Sequence, residues 1–309
     1  MRTTWPGFLA GLQRSNERGQ SAMEYLMTYG WAILIIAVVL GALFQLGVFS
    51  ASTFAPRAPP GACQVFRPNG PNTVSLINLE GVCSGELPQY VAGVSGAVTS
   101  NILASSSNLP TGSNARTISA WVYPTGNSYG NPVVVGWQPS SACPGGEGSE
   151  LGMSTANDIA FIGGNTAVAT GSSVPIGTWS FIAASYAAGS TAVTLYVNGG
   201  SQSASVGVAL ATPSSGTVLV IGSYNNAGSC GAYFAGQISN VQIYNTSLSG
   251  SEVNALYLEG IGGAPIKLSN LAGWWPLNGN ANDYSGNNNN GVPSGVTYTN
   301  QWASGYTQP

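Results

Sequence analysis

From residue 104 onward six carboxylates could do acid–base work: Glu147, Glu150, Asp158, Glu252, Glu259 and Asp283. Glu147 and Glu150 share the loop Cys143-Pro-Gly-Gly-Glu-Gly-Ser-Glu150, which could present an acid pair, the arrangement that glycoside hydrolysis uses. Histidine is absent. Its absence removes every His-dependent triad and every His-ligated metal site. The four cysteines, Cys63, Cys83, Cys143 and Cys230, include no Cys-x-x-Cys pair of the kind that zinc sites use. Four cysteines allow three disulfide connectivities. The pairing expected here is Cys63–Cys83, closing a short loop, and Cys143–Cys230, tying two distant loops.

Positioning these groups falls to a chain of 309 residues with only 6% charge, 10% aromatics and 43 glycines. Seven cations against ten anions cannot make the basic stripe that displaces counterions, so nucleic acid is excluded as a partner. A net charge of −3 with this aromatic content also excludes a charge-driven disordered chain. No charge occurs between Tyr25 and Pro56, and Trp31-Ala-Ile-Leu-Ile-Ile-Ala-Val-Val-Leu-Gly-Ala-Leu-Phe44 has no polar face. A soluble helix of that length would show one. The segment therefore predicts a long apolar, membrane-compatible helix over 20–49. Pro56, Pro59 and Pro60 end it in a stiff linker over 50–62. A small β segment with Cys63 and Cys83 is expected over 63–103.

The residues entering that helix are Arg18-Gly-Gln-Ser-Ala-Met-Glu24-Tyr-Leu-Met-Thr-Tyr-Gly-Trp31. A carboxylate at Glu24, against an apolar run, is costly in lipid unless something neutralises it. The stretch resembles the class III signal peptide of archaeal type IV-like pilins. The resemblance implies a leader over 1–19, cut between Gly19 and Gln20 by a prepilin peptidase, with the helix retained. Glu24 is then the fifth mature residue, pairing with the N-terminal amine of a neighbouring subunit during self-assembly through the helix.

Further on, alternating runs such as Thr117-Ile-Ser-Ala-Trp-Val-Tyr-Pro and Trp179-Ser-Phe-Ile-Ala-Ala-Ser-Tyr read as half-buried strands. Asn198-Gly199 marks a tight hairpin, and Ser249 or Ser251 can cap a short helix. An all-β antiparallel sandwich over 104–309 is the expected architecture. In order, Ile118-Ser-Ala-Trp-Val, Gly177-Thr-Trp-Ser-Phe-Ile, Leu195-Tyr-Val-Asn-Gly and Phe234-Ala-Gly-Gln-Ile-Ser-Asn-Val-Gln-Ile-Tyr resemble the laminin-G/concanavalin-like jelly roll. Gly273-Trp-Trp-Pro-Leu-Asn-Gly normally opens such a domain, yet here it comes last, so 268–309 is expected to supply a circularly permuted strand.

That resemblance implies binding rather than catalysis, because the Glu-x-Asp-x-(x)-Glu strand of hydrolases with this fold is missing. It implies Ca²⁺ at the sandwich rim, where Asp283 and Asn287 of Asn282-Asp-Tyr-Ser-Gly-Asn287 could supply hard oxygens; the same residues suit a plain Asx turn. It implies glycan contacts as well, for which Trp137, Tyr224 and Asn225 are the surface candidates, while Trp121, Trp179, Trp274 and Trp275 are expected in the core. The function expected from the sequence is a pilin-like surface filament subunit, at the membrane and cell surface, displaying a lectin-like adhesion domain. A membrane-anchored adhesin that does not polymerise is the alternative.

Overall fold

The computed structural model describes residues 27–42, 64–66, 75–77, 87–126, 128, 130–139, 148–163, 167–225 and 231–309. Two compact units divide the chain, Met1–Pro56 and Arg57–Pro309. In the first, residues 27–42 form helix α1. It holds no proline and no charge, and its large apolar side chains are exposed on every face, from Met27 and Trp31 to Leu40. The remainder of the helix expected over 20–49 lies outside the described residues, as do Gly19, Gln20 and Glu24. Among the described residues no helix is long and apolar enough to cross a membrane.

The second unit opens with two paired three-residue strands, β1 (Gln64–Phe66) and β2 (Ser75–Ile77). Strands β3 (Val91–Ser95), β4 (Asn101–Ser105), β5 (Arg116–Pro124), β6 (Val133–Pro139) and β7 (Ser149–Met153) follow. Next come β8 (Asp158–Gly163), β9 (Ala167–Ser173), β10 (Ser180–Tyr186), β11 (Ala192–Val197), β12 (Gly200–Ser205) and β13 (Thr217–Ile221). A short hairpin, β14 (Ser223–Asn225) and β15 (Gly231–Tyr233), leads into the ten-residue β16 (Ala235–Tyr244). Helix α2 (Gly250–Leu258) precedes β17 (Leu271–Trp275), β18 (Val292–Ser294) and β19 (Thr297–Thr299).

These strands make an all-β antiparallel sandwich. One sheet has eight strands in the order β12-β11-β10-β5-β16-β3-β19, with β17 on the far half of β16. The other has seven, β18-β4-β13-β6-β7-β8-β9. Side-chain alternation builds the layers. Along β5, Ile118, Ala120 and Val122 enter the core between the sheets, while Trp121 and Tyr123 face outward into a second cluster. That cluster is covered by Val253 and Leu256 of α2 and by Trp302 from the C-terminal segment. Both faces of the central strands are thus buried, and β10 reads as an unbroken buried run.

Local chemistry sets the connections. Asn198 and Gly199 both take positive φ, 49° and 82°, the twist that joins β11 to β12 in two residues. Ser249 caps α2 and Glu252 returns the bond to the Ser249 backbone, a reciprocal capping box. The C-terminal segment threads through the whole sandwich: β17 pairs with β16, β18 with β4 and β19 with β3. The sandwich boundary expected at residue 104 is too late. Strands β3 and β4 lie inside the two sheets, one in each, because their partners β16 and β13 are distant in sequence.

Candidate functional site

The outward face of the seven-stranded sheet carries the least satisfied polar groups of the described protein. In register across β18, β4, β13, β6, β7 and β8 run Val292, Leu103, Val220, Gly136, Glu150 and Ile162. Their neighbours along each strand, including Val135, Trp137, Leu151 and Phe161, point the other way into the core. The adjacent row contains Ser105, Val218 and Gln138. Gln138 is therefore the diagonal neighbour of Glu150 on the same face, roughly 7–8 Å away at Cα.

Glu150 and Gln138 are each 1% exposed. Both carboxyl oxygens of Glu150, and both the oxygen and the nitrogen of the Gln138 amide, lack a hydrogen-bond partner. Burial alone pushes the Glu150 carboxyl up to about 8, since no cation compensates it. Glycines make this seating available. A Cβ on Gly136 would fall 2.6 Å from Glu150 Cγ, and one on Gly148 would fall 2.6 Å from Gln138 Cβ. Val133, Val220 and Ala232 of β15 pack together on this face, so the β14–β15 hairpin borders it. Tyr224 and Asn225, expected to contact glycans, lie on β14 opposite Ala232 and Gly231. Their side chains, together with Glu147, fall outside the described residues, as do Cys63, Cys83, Cys143 and Cys230.

Trp137 requires a correction. It is 1% exposed, inside the intersheet core, and its Nε1 donates to the Pro110 carbonyl, so it offers no platform to a sugar. Beside it lies Arg116, fully buried, without a carboxylate partner among the described residues and with its guanidinium 5.7 Å from the ring centroids of both Trp137 and Tyr186. Its N–H groups donate to the carbonyls of Asn114, Thr111 and Gly112 and to the hydroxyls of Ser149 and Thr212. Desolvation lowers its pKa to about 10. Trp121, Trp179, Trp274 and Trp275 are core residues.

The rim loop around Asp283 is built as a turn. Asp283 Oδ1 accepts from the backbone N–H groups of Trp274 and Ser285, and Oδ2 accepts from that of Asn289. Asn287 turns its amide nitrogen toward the Leu271 and Ala272 carbonyls. A cation at Asp283 would meet N–H dipoles where it needs further oxygens, so these residues do not fit the Ca²⁺ expected of them. Among the described residues no three His, Cys, Asp or Glu side chains gather in a metal-binding group.

Gln138 was not legible as a site residue. Its signal was the alternation of Gly136 and Gln138 with Val135 and Trp137, which places one small and one polar side chain on the face opposite the core.

Residues 95–254, just over half of the chain, match the family model of the concanavalin A-like lectin/glucanases superfamily. The chain belongs to that superfamily. Among solved structures, a candidate carbohydrate binding protein from Bacteroides ovatus aligns at 17% identity and TM-score 0.51, over 73% of this chain. This chain spans 66% of that protein's length. A SAP-like pentraxin from Limulus polyphemus aligns at 12% identity and TM-score 0.47, over 68% of this chain and 94% of its own. The CBM40 of the Ruminococcus gnavus IT-sialidase aligns at 15% identity and TM-score 0.39, over 47% of this chain and 84% of its own. At these identities the likeness is one of fold. No curated protein matches the sequence.

Proposed function

We propose that this superfamily member is a surface protein whose jelly-roll domain binds carbohydrate. The observation that carries the reading is the superfamily match over residues 95–254, on a chain that folds as the two-sheet antiparallel sandwich. The Bacteroides ovatus structure of the same fold is described as a candidate carbohydrate binder, which agrees with this reading.

Binding is favoured over hydrolysis because the Glu-x-Asp-x-(x)-Glu strand of hydrolases with this fold is missing and Asp158 is too far from Glu150 to act with it. Asp158 is the described carboxylate nearest along the sheet, four residues down β8 from Ile162, the cross-strand partner of Glu150. That separation is about 13 Å at 3.3 Å per residue, beyond the roughly 5–9.5 Å that glycosidase carboxylates need.

The same proposal assigns the N-terminal region to pilin-like display. Arg18-Gly19-Gln20 supplies a prepilin peptidase site, and Glu24 with the uniformly apolar α1 supplies self-assembly and a membrane-held precursor. A glycan array probed with the full chain tests the head: bound glycans are expected, and a wild-type chain that binds no glycan overturns the reading. Mass spectrometry of the mature chain tests the display, with Gln20 expected as the first residue. Electron microscopy of expressing cells then separates filaments from a non-polymerising adhesin.

A further inference from the structure

We infer that the jelly roll takes a neutral carbohydrate in a groove on the outward face of the eight-stranded sheet, across β5, β16, β3 and β19. The inference rests on the carbohydrate-binding reading above and adds the place of the site and the class of glycan it takes.

Register creates the groove. Val122 of β5, Ile238 of β16 and Ala92 of β3 point into the intersheet core, so their strand neighbours point outward. One outward row runs Tyr123, Gln237, Gly93 and Thr297, cross-strand partners in turn on β5, β16, β3 and β19. Gly93 has no side chain, which leaves a notch between Gln237 and Thr297, two strand spacings or about 9.5 Å apart. A Cβ on Gly93 would come within 2.8 Å of Thr297 Oγ1. Helix α2 covers the same sheet around Trp121 and Phe181, but none of its residues lines the groove. The groove opens to solvent with a volume of about 270 Å³, roughly twentyfold what a single water needs. Ser95, Thr125 and Thr297 on its walls are exposed, and Gln237 and Thr299 are partly so.

The lining fits hydroxyls and offers nothing to a charge. Among the described residues no charged side chain lines the groove. Thr125 Oγ1 donates to the Ala235 carbonyl at 3.0 Å, which leaves its lone pairs free to accept. Thr299 Oγ1 accepts from the Gln301 N–H, which leaves its proton free to donate. Gln237 Oε1 has no hydrogen-bond partner, and Thr297 Oγ1 reaches the Gly93 carbonyl only at 3.5 Å. Each hydroxyl of a sugar ring both donates and accepts, so neighbouring hydroxyls match this set without any charge. A carboxylated or sulfated glycan would bring a charge that nothing in the lining pairs. Strands β3 and β16 are paired on both edges, so the floor has no free backbone to receive an added peptide strand.

The test probes the full chain on an array of neutral, acidic and amino glycans, then titrates the neutral oligosaccharide with the strongest signal. Gln237→Met and Thr297→Val keep side-chain shape at partly or fully exposed positions and remove the polar atoms. Each should weaken binding about tenfold, the worth of one or two hydrogen bonds. Gly93→Val fills the notch and should abolish binding; if that variant does not fold, the other two decide. Wild-type affinity in both Gln237→Met and Thr297→Val, or a preference for acidic glycans, would overturn the groove and leave the carbohydrate reading standing. A wild-type chain that binds no glycan would overturn both.

Discussion

Replacing Glu150 by glutamine removes a titrating group and keeps its shape, and the effect should be written in how stability varies with pH. The folded protein holds the Glu150 proton up to about pH 8, whereas an unfolded chain releases it near 4.5. Between those values the native state binds one proton more than the unfolded state. Stability therefore falls as pH rises through the window, by about 1.4 kcal/mol per unit. Below 4.5 both states are protonated and there is no penalty; above 8 the penalty is complete. A window of about 3.5 units sums to roughly 5 kcal/mol, against a typical margin of about 5–15 kcal/mol for a domain. At pH 7 about 2.5 units have been crossed, so Glu150→Gln should be the more stable protein by roughly 3 kcal/mol, or about 6–12 °C in Tm. Urea unfolding of the full chain, followed by tryptophan fluorescence at steps of about one pH unit, reads the difference directly. Other groups titrate in both proteins and cancel. Parallel stability curves for the two proteins across this window would refute the reasoning, because they would mean that Glu150 is either solvated or already paired.

Three further outcomes follow from the packing. Arg116→Lys cannot reproduce the planar fork that serves three carbonyls and two hydroxyls, so its denaturation midpoint should report a loss of about 3 kcal/mol or more. Truncation after Gly263 removes strands from both sheets and takes away Trp274, Trp275 and Leu277, buried side chains worth about 5–9 kcal/mol together. The product should aggregate or fall to limited proteolysis, and a cooperative melt at the full-length temperature would refute the threading. Asp283→Ala leaves three backbone N–H groups without their acceptor and should cost about 3 kcal/mol by urea unfolding, while added Ca²⁺ should leave the wild-type Tm unchanged.

What could be read ahead of the structure is what neighbours in sequence decide. The alternation of Ile118, Ala120 and Val122 with Trp121 and Tyr123 announces a strand, Asn198-Gly199 announces its hairpin, and Ser249 with Glu252 announces a capped helix. Each depends on residues a few positions apart. The misread residues depend on partners far away. Trp137 sits in a run where both strand faces are buried, so periodicity cannot say which face is the core; Pro110 and Arg116, remote in sequence, decide it. Asp283 has the composition of an oxygen-rich loop, and only the direction of the Trp274, Ser285 and Asn289 amides turns it into a clamp on the chain itself. Glu150 stands three residues from Glu147 in a loop that could present a carboxylate pair, and Glu147 lies outside the described residues. Gln138 is the diagonal neighbour of Glu150 on its own face of the sheet, and that juxtaposition is created by the pairing of Gly136 with Glu150 across β6 and β7. A slip of one residue would send Glu150 into the core and Leu151 outward, so the register that hides the acid from solvent is also what the hydrophobic pattern of β7 enforces.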